Sequence, residues 1–88
     1  MNGPIASLRG LGPKSARMLA AVGIATVDQL RTLGAVEAYA RVCEAQTGAS
    51  LNLLWALEGA LTDRDWRAVA REDRMRLLLA LDDKRRRL

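Results

Sequence analysis

Hydrophobic residues recur at a helical period along most of the chain and predict an all-α bundle of about five helices with no strand. A short helix over about residues 4–9 precedes a glycine-rich turn, and a second helix covers about residues 13–21. Gly23 then follows Val22 as a left-handed helix end. The first quarter of the chain is therefore predicted to contain a helix, a tight turn and a second helix.

The middle of the chain predicts two further helices. Thr26 with Gln29 three residues later forms a capping box, which predicts a helix over about residues 27–33. Gly34 interrupts the pattern, and a helix over about residues 35–45 follows it. The apolar face of that helix is expected to contain Val36, Tyr39, Ala40 and Cys43.

The second half of the chain predicts the centre of the bundle. Ser50 is a natural N-cap, and residues 51–61 are apolar almost throughout, which is typical of a central helix. We expect the chain to turn at residues 62–65, with Trp66 packed as an anchor under the turn. A last helix is predicted over about residues 71–86, with Met75, Leu77, Leu78 and Leu81 facing inward.

Composition favours one small domain over residues 1–88. Half of the residues are hydrophobic but only 3% are aromatic, so leucine and alanine must build the core. No apolar run approaches the ~20 residues of a membrane span, and the N-terminus lacks the pattern of a signal peptide. Cys43 is the single cysteine and is interpreted as a small core residue. We therefore expect a cytoplasmic protein that makes no membrane contact.

The formal net charge of +4 favours a partner that carries negative charge. Residues 84–88 form a basic C-terminal tail that contains the cation cluster Lys84-Arg85-Arg86-Arg87. Asp82 and Asp83 precede Arg86 and Arg87 by four residues, a spacing that stabilises an exposed helix end. We favour a solvated helix end for this cluster over a phosphate-binding tail.

The sequence offers no set of residues suited to catalysis. The chain has no histidine for proton transfer and no Cys/His cluster for a metal. We therefore expect no enzyme activity, no cofactor, no metal and no small-molecule substrate. Tyr39, Trp55 and Trp66 are interpreted as packing residues, so base stacking on single strands is not expected either.

Residues 8–16 match the pattern hydrophobic-x-Gly-hydrophobic-Gly-x-x-x-Ala, which is typical of the turn in a helix-hairpin-helix. Gly10 and Gly12 are expected to take positive φ and to bring backbone N–H groups close to an anion. Pro13 suits the first turn of the helix that follows. Lys14 adds a positive side chain at a helix N-terminus, where the helix dipole already favours phosphate.

Several segments resemble the C-terminal domain of the TfoX/Sxy family. The similarity extends in the same order over about residues 7–81, and its most specific part is the string Leu-Asn-Leu-Leu-Trp-Ala-Leu-Glu-Gly-Ala. The other matching segments are residues 11–15, 23–30 and 33–39, together with Trp66. The resemblance implies an all-helical domain with helix-hairpin-helix character.

The family resemblance also implies a biological setting. Members are bacterial, and the named ones regulate natural competence by promoting transcription of DNA-uptake genes alongside a cyclic-AMP receptor protein. Full-length members place an α/β domain before this one. That domain is missing here, so the chain is expected to be a free-standing paralogue or a piece of a longer protein, and the start at Met1 favours the former.

DNA-binding proteins of the helix-hairpin-helix class commonly use two hairpins. The second candidate here, residues 33–38, has one glycine, and Glu37 stands roughly where a phosphate-binding hairpin would need lysine. A carboxylate at that place repels phosphate. We therefore expect any contact with DNA to use one hairpin and to be weak.

Two functions are compatible with these patterns. In the first, the domain binds duplex DNA weakly and without sequence preference, because phosphate contacts position a protein but do not read bases. The backbone amides of Gly10, Gly12 and Lys14 would then meet a phosphate. The side chains of Lys14, Arg9 and Arg17 would supply the charge.

In the second function, the hairpin is purely structural and the domain binds another protein. That protein would be a second copy of the chain or a partner in the transcription machinery. Exposed residues of the helix over residues 51–61, above all Trp55, would form the contact.

Overall fold

The computed structural model describes Ile5, Leu8, residues 10–45 and residues 49–86. Over these residues the fold is all-α, which confirms the predicted fold class, and it contains six helices. They are α1 (Pro13–Ala20), α2 (Val27–Leu33), α3 (Ala35–Ala45), α4 (Leu51–Thr62), α5 (Trp66–Glu72) and α6 (Arg74–Arg86). The helix predicted over residues 4–9 lies largely outside the described residues.

The end of α1 is a Schellman motif. The Gly23 N–H donates to the Ala20 carbonyl at 3.0 Å, and the Ile24 N–H donates to the Leu19 carbonyl at 2.9 Å. Gly23 takes a φ of +85°, as predicted. Leu19 and Ile24 are both fully buried, so the motif also contributes an apolar contact to the core.

The start of α2 is the predicted capping box. The Thr26 hydroxyl accepts the Gln29 N–H at 3.2 Å, and the Gln29 side-chain oxygen accepts the Thr26 N–H at 3.1 Å. Gly34 ends α2 with a φ of +84° and leads directly into α3. Two successive helices are therefore joined by a single glycine.

The central position of α4 is confirmed. This helix packs against α3 and α5, and α3 packs in turn against α2 and α6. Leu54 and Leu57 are fully buried, and one continuous core includes them together with Leu11, Leu30 and Leu77. The hairpin and the C-terminal helices therefore share the same core.

Trp55 is buried with only 3% of its surface exposed. The expectation that this residue forms a contact with a partner protein is therefore wrong. Its position on a helix that is apolar almost all round places it in the core. Cys43 is only half-buried and packs against the core from outside.

The C-terminal region differs from the prediction in two ways. A helix begins at Trp66 rather than near residue 71, because Asp65 caps it by accepting the Arg67 N–H at 2.9 Å. Asp73 then separates α5 from α6, because its φ of −112° and ψ of 4° are not helical. Trp66 is thus the first residue of a helix as well as a packing residue.

Met75 does not face inward as predicted, since 68% of its surface is exposed. Leu77 and Leu81 lie one helical turn apart and are both buried. Residues two positions apart on a helix point to nearly opposite sides, so burying Leu77 turns Met75 and Leu79 outward. Leu79 is accordingly 62% exposed. Within the described residues, no helix has both the length and the apolar character needed to span a membrane.

Candidate nucleic-acid interface

The glycine-rich turn has one side packed on the core and the other side exposed to solvent. Leu11 is buried with 4% of its surface exposed, and its N–H donates to the Leu8 carbonyl at 3.2 Å. Gly10 is exposed and takes a φ of +82°, a conformation that side-chain-bearing residues rarely adopt. The expected positive φ is therefore confirmed at Gly10.

Gly12 does not take positive φ, and the expectation for this residue is wrong. Its φ of −109° and ψ of −172° are those of an extended residue that caps a helix. The Gly12 carbonyl accepts the Ala16 N–H at 3.0 Å, which is the first hydrogen bond of α1. Only one of the two glycines therefore needs to be glycine for conformational reasons.

The N-terminus of α1 is open to an external anion. Gly12 has no side chain with which to cap the helix, and the first turn contains no acidic residue. Pro13 lacks an N–H, so the amides of Lys14 and Ser15 are left without acceptors inside the helix. The Lys14 side chain is exposed beside them and forms no ion pair with the described residues.

A cleft of about 330 Å³ opens beside this helix end. Its walls include Gly10 and Lys14 on one side and the start of α4 on the other, where Ser50 is the N-cap. The Ser50 hydroxyl forms no capping hydrogen bond, so the starts of two helices meet at the cleft without side-chain caps. Gly12 and Arg17 do not line the cleft, although Arg17 is exposed one turn after Lys14. Arg9 lies outside the described residues.

A second cleft of about 220 Å³ continues the first one. The two clefts share Gly10, Ala56 and Trp66, and the second extends to Arg64, Asp65 and Arg67. We call the combined surface the hairpin groove. It has Lys14 near one end, Trp66 in the middle and Arg67 near the other end.

Gly59 determines how closely the wall of the hairpin groove approaches α4. A Cβ atom at this position would lie 2.5 Å from the Arg64 carbonyl oxygen and 3.4 Å from the Trp66 nitrogen. The Arg64 N–H also donates to the Gly59 carbonyl at 2.8 Å. The absence of a side chain at Gly59 therefore allows the turn before α5 to pack directly on α4 and to hold Trp66 at the groove.

The cations of the groove differ in how far they are already neutralised. The Arg64 guanidinium forms ion pairs with Glu72, at 3.1 Å, and with Asp73. Arg76 and then Arg64 hold the pKa of the Asp73 carboxyl below its usual value. The positive charge of Arg64 is therefore already neutralised by acidic residues of the domain. Arg67 lies 4.8 Å from the centroid of the Trp66 ring, and its one ion pair with the described residues is a long one of 3.8 Å with Asp65.

The second candidate hairpin has the opposite electrostatic character. Glu37 lies in the first turn of α3, where it accepts a hydrogen bond from Arg41 at 3.0 Å and pairs with Lys84 of α6. Lys84, and to a smaller extent Arg41, lower the pKa of the Glu37 carboxyl. The first turn of α3 therefore already carries a negative charge that is paired within the fold.

The basic cluster near the C-terminus forms the last turn of α6. Lys84, Arg85 and Arg86 belong to this helix, and Arg86 pairs with Asp82 at 3.0 Å, as the spacing predicted. The pairing of Lys84 with Glu37 was not predicted. These two residues are far apart in sequence, and no local pattern connects them.

Sequence reasoning identified Ser50 only as an N-cap, and it missed Arg67 and the groove itself. The residues of the groove come from α1, α4 and α5 and from the turns that precede them, so neither helical periodicity nor a short motif places them together. The described residues contain no group of three or more His, Cys, Asp or Glu side chains that could hold a metal ion.

Comparison with known proteins gives one family and one related structure. The family model described as the TfoX C-terminal domain matches residues 1–81. The crystal structure of an uncharacterized protein from Listeria monocytogenes is similar, with a TM-score of 0.79 and 27% sequence identity over 85% of each chain. None of the curated proteins matches this chain. The family match covers nearly all of the sequence and confirms the resemblance, so the chain belongs to the TfoX C-terminal domain family.

Proposed function

We propose that this domain is a non-enzymatic regulatory module that contacts the phosphates of DNA through the turn from Gly10 to Lys14. The observation that supports this function is the open N-terminus of α1, where the exposed Lys14 lies at the edge of the hairpin groove and pairs with no acidic group of the described residues. Helix N-termini bind phosphate because unpaired amides and the helix dipole both favour negative charge. Membership of the family makes control of transcription during natural competence the proposed setting.

The proposed contact is weak and independent of base sequence. One hairpin with a few nearby cations contacts roughly two to four phosphates, which predicts a slope of about −2 to −4 for log affinity against log salt. Phosphates carry no sequence information, so a partner protein would have to supply specificity. Affinity is expected to be almost lost at physiological salt.

The test is a titration of labelled duplex DNA, in two unrelated sequences, at low and at physiological salt. Lys14→Glu should lower the affinity at least about tenfold, by removing a phosphate contact and adding repulsion. Arg31→Glu makes the same change of charge at an exposed position of α2 that does not line the groove. This control should have a much smaller effect, and circular dichroism should show the same helical content for both variants.

The basic end of α6 provides the competing explanation. Replacing Arg85 and Arg86 by glutamine removes two exposed cations but keeps the pairing of Lys84 with Glu37. If this double variant abolishes DNA binding and Lys14→Glu leaves it intact, the end of α6 is the binding surface. The proposed role of the hairpin would then be wrong.

The second candidate function is protein binding, and one observation favours it. Met75 and Leu79 lie one turn apart on α6 and are 68% and 62% exposed. Two side chains form a small patch compared with the ~800 Å² per partner of a stable interface, so such an interaction would be weak. If the intact chain binds no DNA even at low salt, Met75→Glu should be tested for loss of self-association by sedimentation.

A further inference from the structure

Trp66 is unusual among the three aromatic residues of the chain. Tyr39 and Trp55 are each 3% exposed, whereas Trp66 is only half-buried and lines both clefts of the hairpin groove. The interpretation of Trp66 as a packing residue alone is therefore incomplete. Part of the indole surface remains open to a ligand inside the groove.

The charges around Trp66 suit a nucleic-acid backbone. Lys14 lies toward one end of the groove, and toward the other end the Arg67 guanidinium lies over the Trp66 ring, 4.8 Å from its centroid. Trp66 also packs against the core, so a base would stack on the part of the indole that Arg67 and the core leave exposed. Proteins that bind single strands combine aromatic side chains, on which bases stack, with cations that follow the phosphates. Arginine near an aromatic ring adds to such a platform through its planar, charged group.

The size of the groove limits what it can accept. The larger cleft, at about 330 Å³, is near the lower limit of the ~300–1,000 Å³ of pockets that hold small ligands. Small residues make room beside the indole, because Gly10 and Ala56 line both clefts. A space of this size fits one base with its sugar but not a double helix.

We propose that Trp66 is the stacking platform for one unpaired nucleotide, in a single-stranded segment whose backbone extends from Lys14 toward Arg67. This inference rests on the proposed phosphate contact at Lys14 and adds a site for a base. A continuous duplex keeps its bases stacked inside the helix, so it can present phosphates to Lys14 but no base to Trp66. The preferred ligand is therefore single-stranded DNA or an unpaired end.

The experiment compares oligothymidylate with a duplex of equal length, both at low salt. Oligothymidylate should bind more tightly than the duplex and should quench tryptophan fluorescence, because Trp66 is accessible and Trp55 is buried. Trp66→Leu should lower the affinity for oligothymidylate at least about tenfold, which is within the range found for the loss of one stacked base. It should change the affinity for the duplex less than about twofold, since the phosphate contact remains.

Two further variants keep the test valid if Trp66→Leu fails to fold. Ala56→Met fills the floor of the groove without changing any charge and should also weaken oligothymidylate binding. Trp66→Phe retains an aromatic face and should preserve most of the binding. Circular dichroism should confirm the helical content of each variant before titration.

The outcomes separate this inference from the proposed function. If folded Trp66→Leu or Ala56→Met binds oligothymidylate as tightly as the unchanged protein, the stacking site is wrong. It is also wrong if the duplex binds as tightly as oligothymidylate. A loss of all binding in Lys14→Glu would still support the phosphate contact in either case. If neither probe binds the intact protein at low salt, both proposals are wrong.

Discussion

Two turns of this domain share a backbone feature but differ in the charge that follows. Gly10 and Gly34 take φ values of +82° and +84°, and each leads within three residues into a helix. The helix after Gly10 has an exposed lysine, Lys14, as its second residue and has no acidic residue in its first turn. The helix after Gly34 has Glu37 in its first turn, paired with Arg41 and with Lys84.

The difference shows that two turns with a glycine at positive φ can serve two purposes. A carboxylate in the first turn stabilises a helix by interacting with its dipole, and the Glu37 carboxylate also connects α3 to α6. Among the residues that the structure describes, the start of α1 has no such partner, so its positive end stays available. The second turn therefore contributes to stability, and the first turn is the better candidate for binding an external anion.

The largest effect should come from the core that supports both turns. Leu54→Asp and Leu57→Asp each place an unpaired charge at a fully buried position, at a cost of several kcal/mol against a marginal stability. We expect both variants to be unfolded, as measured by circular dichroism and thermal melting. Met75→Asp is the control, because Met75 is 68% exposed and should tolerate the change. A wild-type melting temperature in both leucine variants would contradict the central position of α4.

A smaller loss of stability should follow from Gly59→Ala. This substitution affects the turn before α5, which borders the hairpin groove beside the first turn. The added Cβ would lie 2.5 Å from a backbone oxygen, so the turn before α5 must move. We expect a cost of about 3 kcal/mol, the upper end for overpacking, and a change in Trp66 fluorescence. A melting temperature equal, within error, to that of the unchanged protein would show that the turn before α5 moves at no cost in stability.

Valine substitutions in the two turns test whether their backbones are equivalent. Gly10→Val and Gly34→Val should each cost about 1–3 kcal/mol, because a β-branched residue rarely takes positive φ. Gly12→Val is the matched control, since Gly12 is extended and a Cβ there meets nothing within 4 Å. The melting temperature of Gly12→Val should be well above those of Gly10→Val and Gly34→Val. Equal losses in all three would mean that strain at positive φ is not the cause.

The smallest expected effect is the pH dependence of the second turn. Lys84 and Arg41 lower the pKa of the Glu37 carboxyl, so this group stabilises the fold above its ordinary pKa of 4.5. That contribution is lost as the pH falls below 4.5 and through the lower pKa of the folded state. Glu37→Gln should therefore be less stable than the unchanged protein at about pH 6, by at most ~1 kcal/mol for such a partly exposed pair.

This difference should shrink toward about pH 3, as measured by urea unfolding at each pH. Asp73 also has a lowered pKa, but it titrates in both proteins, and comparing them isolates Glu37. Lys14→Gln, in the first turn, should show no such change over the same range. A constant difference between Glu37→Gln and the unchanged protein would mean that the ion pairs contribute nothing.

Sequence reasoning was accurate where local hydrogen bonds decide the structure. The capping box of Thr26 and Gln29, the helix end at Gly23 and the turn at Gly10 all depend on residues within a few positions of one another. The apolar character of residues 51–61 was also sufficient to place α4 at the centre, because a helix without a polar face must be buried.

Two errors were local, namely the positive φ expected at Gly12 and the missed cap at Asp65, and the other errors lie where contacts between helices decide. The break between α5 and α6 occurs at Asp73, whose carboxylate binds Arg64 and Arg76, and it changes which side of the last helix is buried. Met75 was therefore assigned to the wrong face. The separate roles of Trp55 and Trp66 were missed for a similar reason, since burial depends on the packing of neighbouring helices.

The sequence by itself determined the all-α fold, most of the helices and a glycine turn that ends in an exposed lysine. These features follow from periodicity and from hydrogen bonds between near neighbours, which a linear pattern records. Only the tertiary structure decided that Ser50, Trp66 and Arg67 lie along one groove with Lys14. That arrangement depends on the packing of α5 against α4 at Gly59, where the missing side chain allows two backbones to meet.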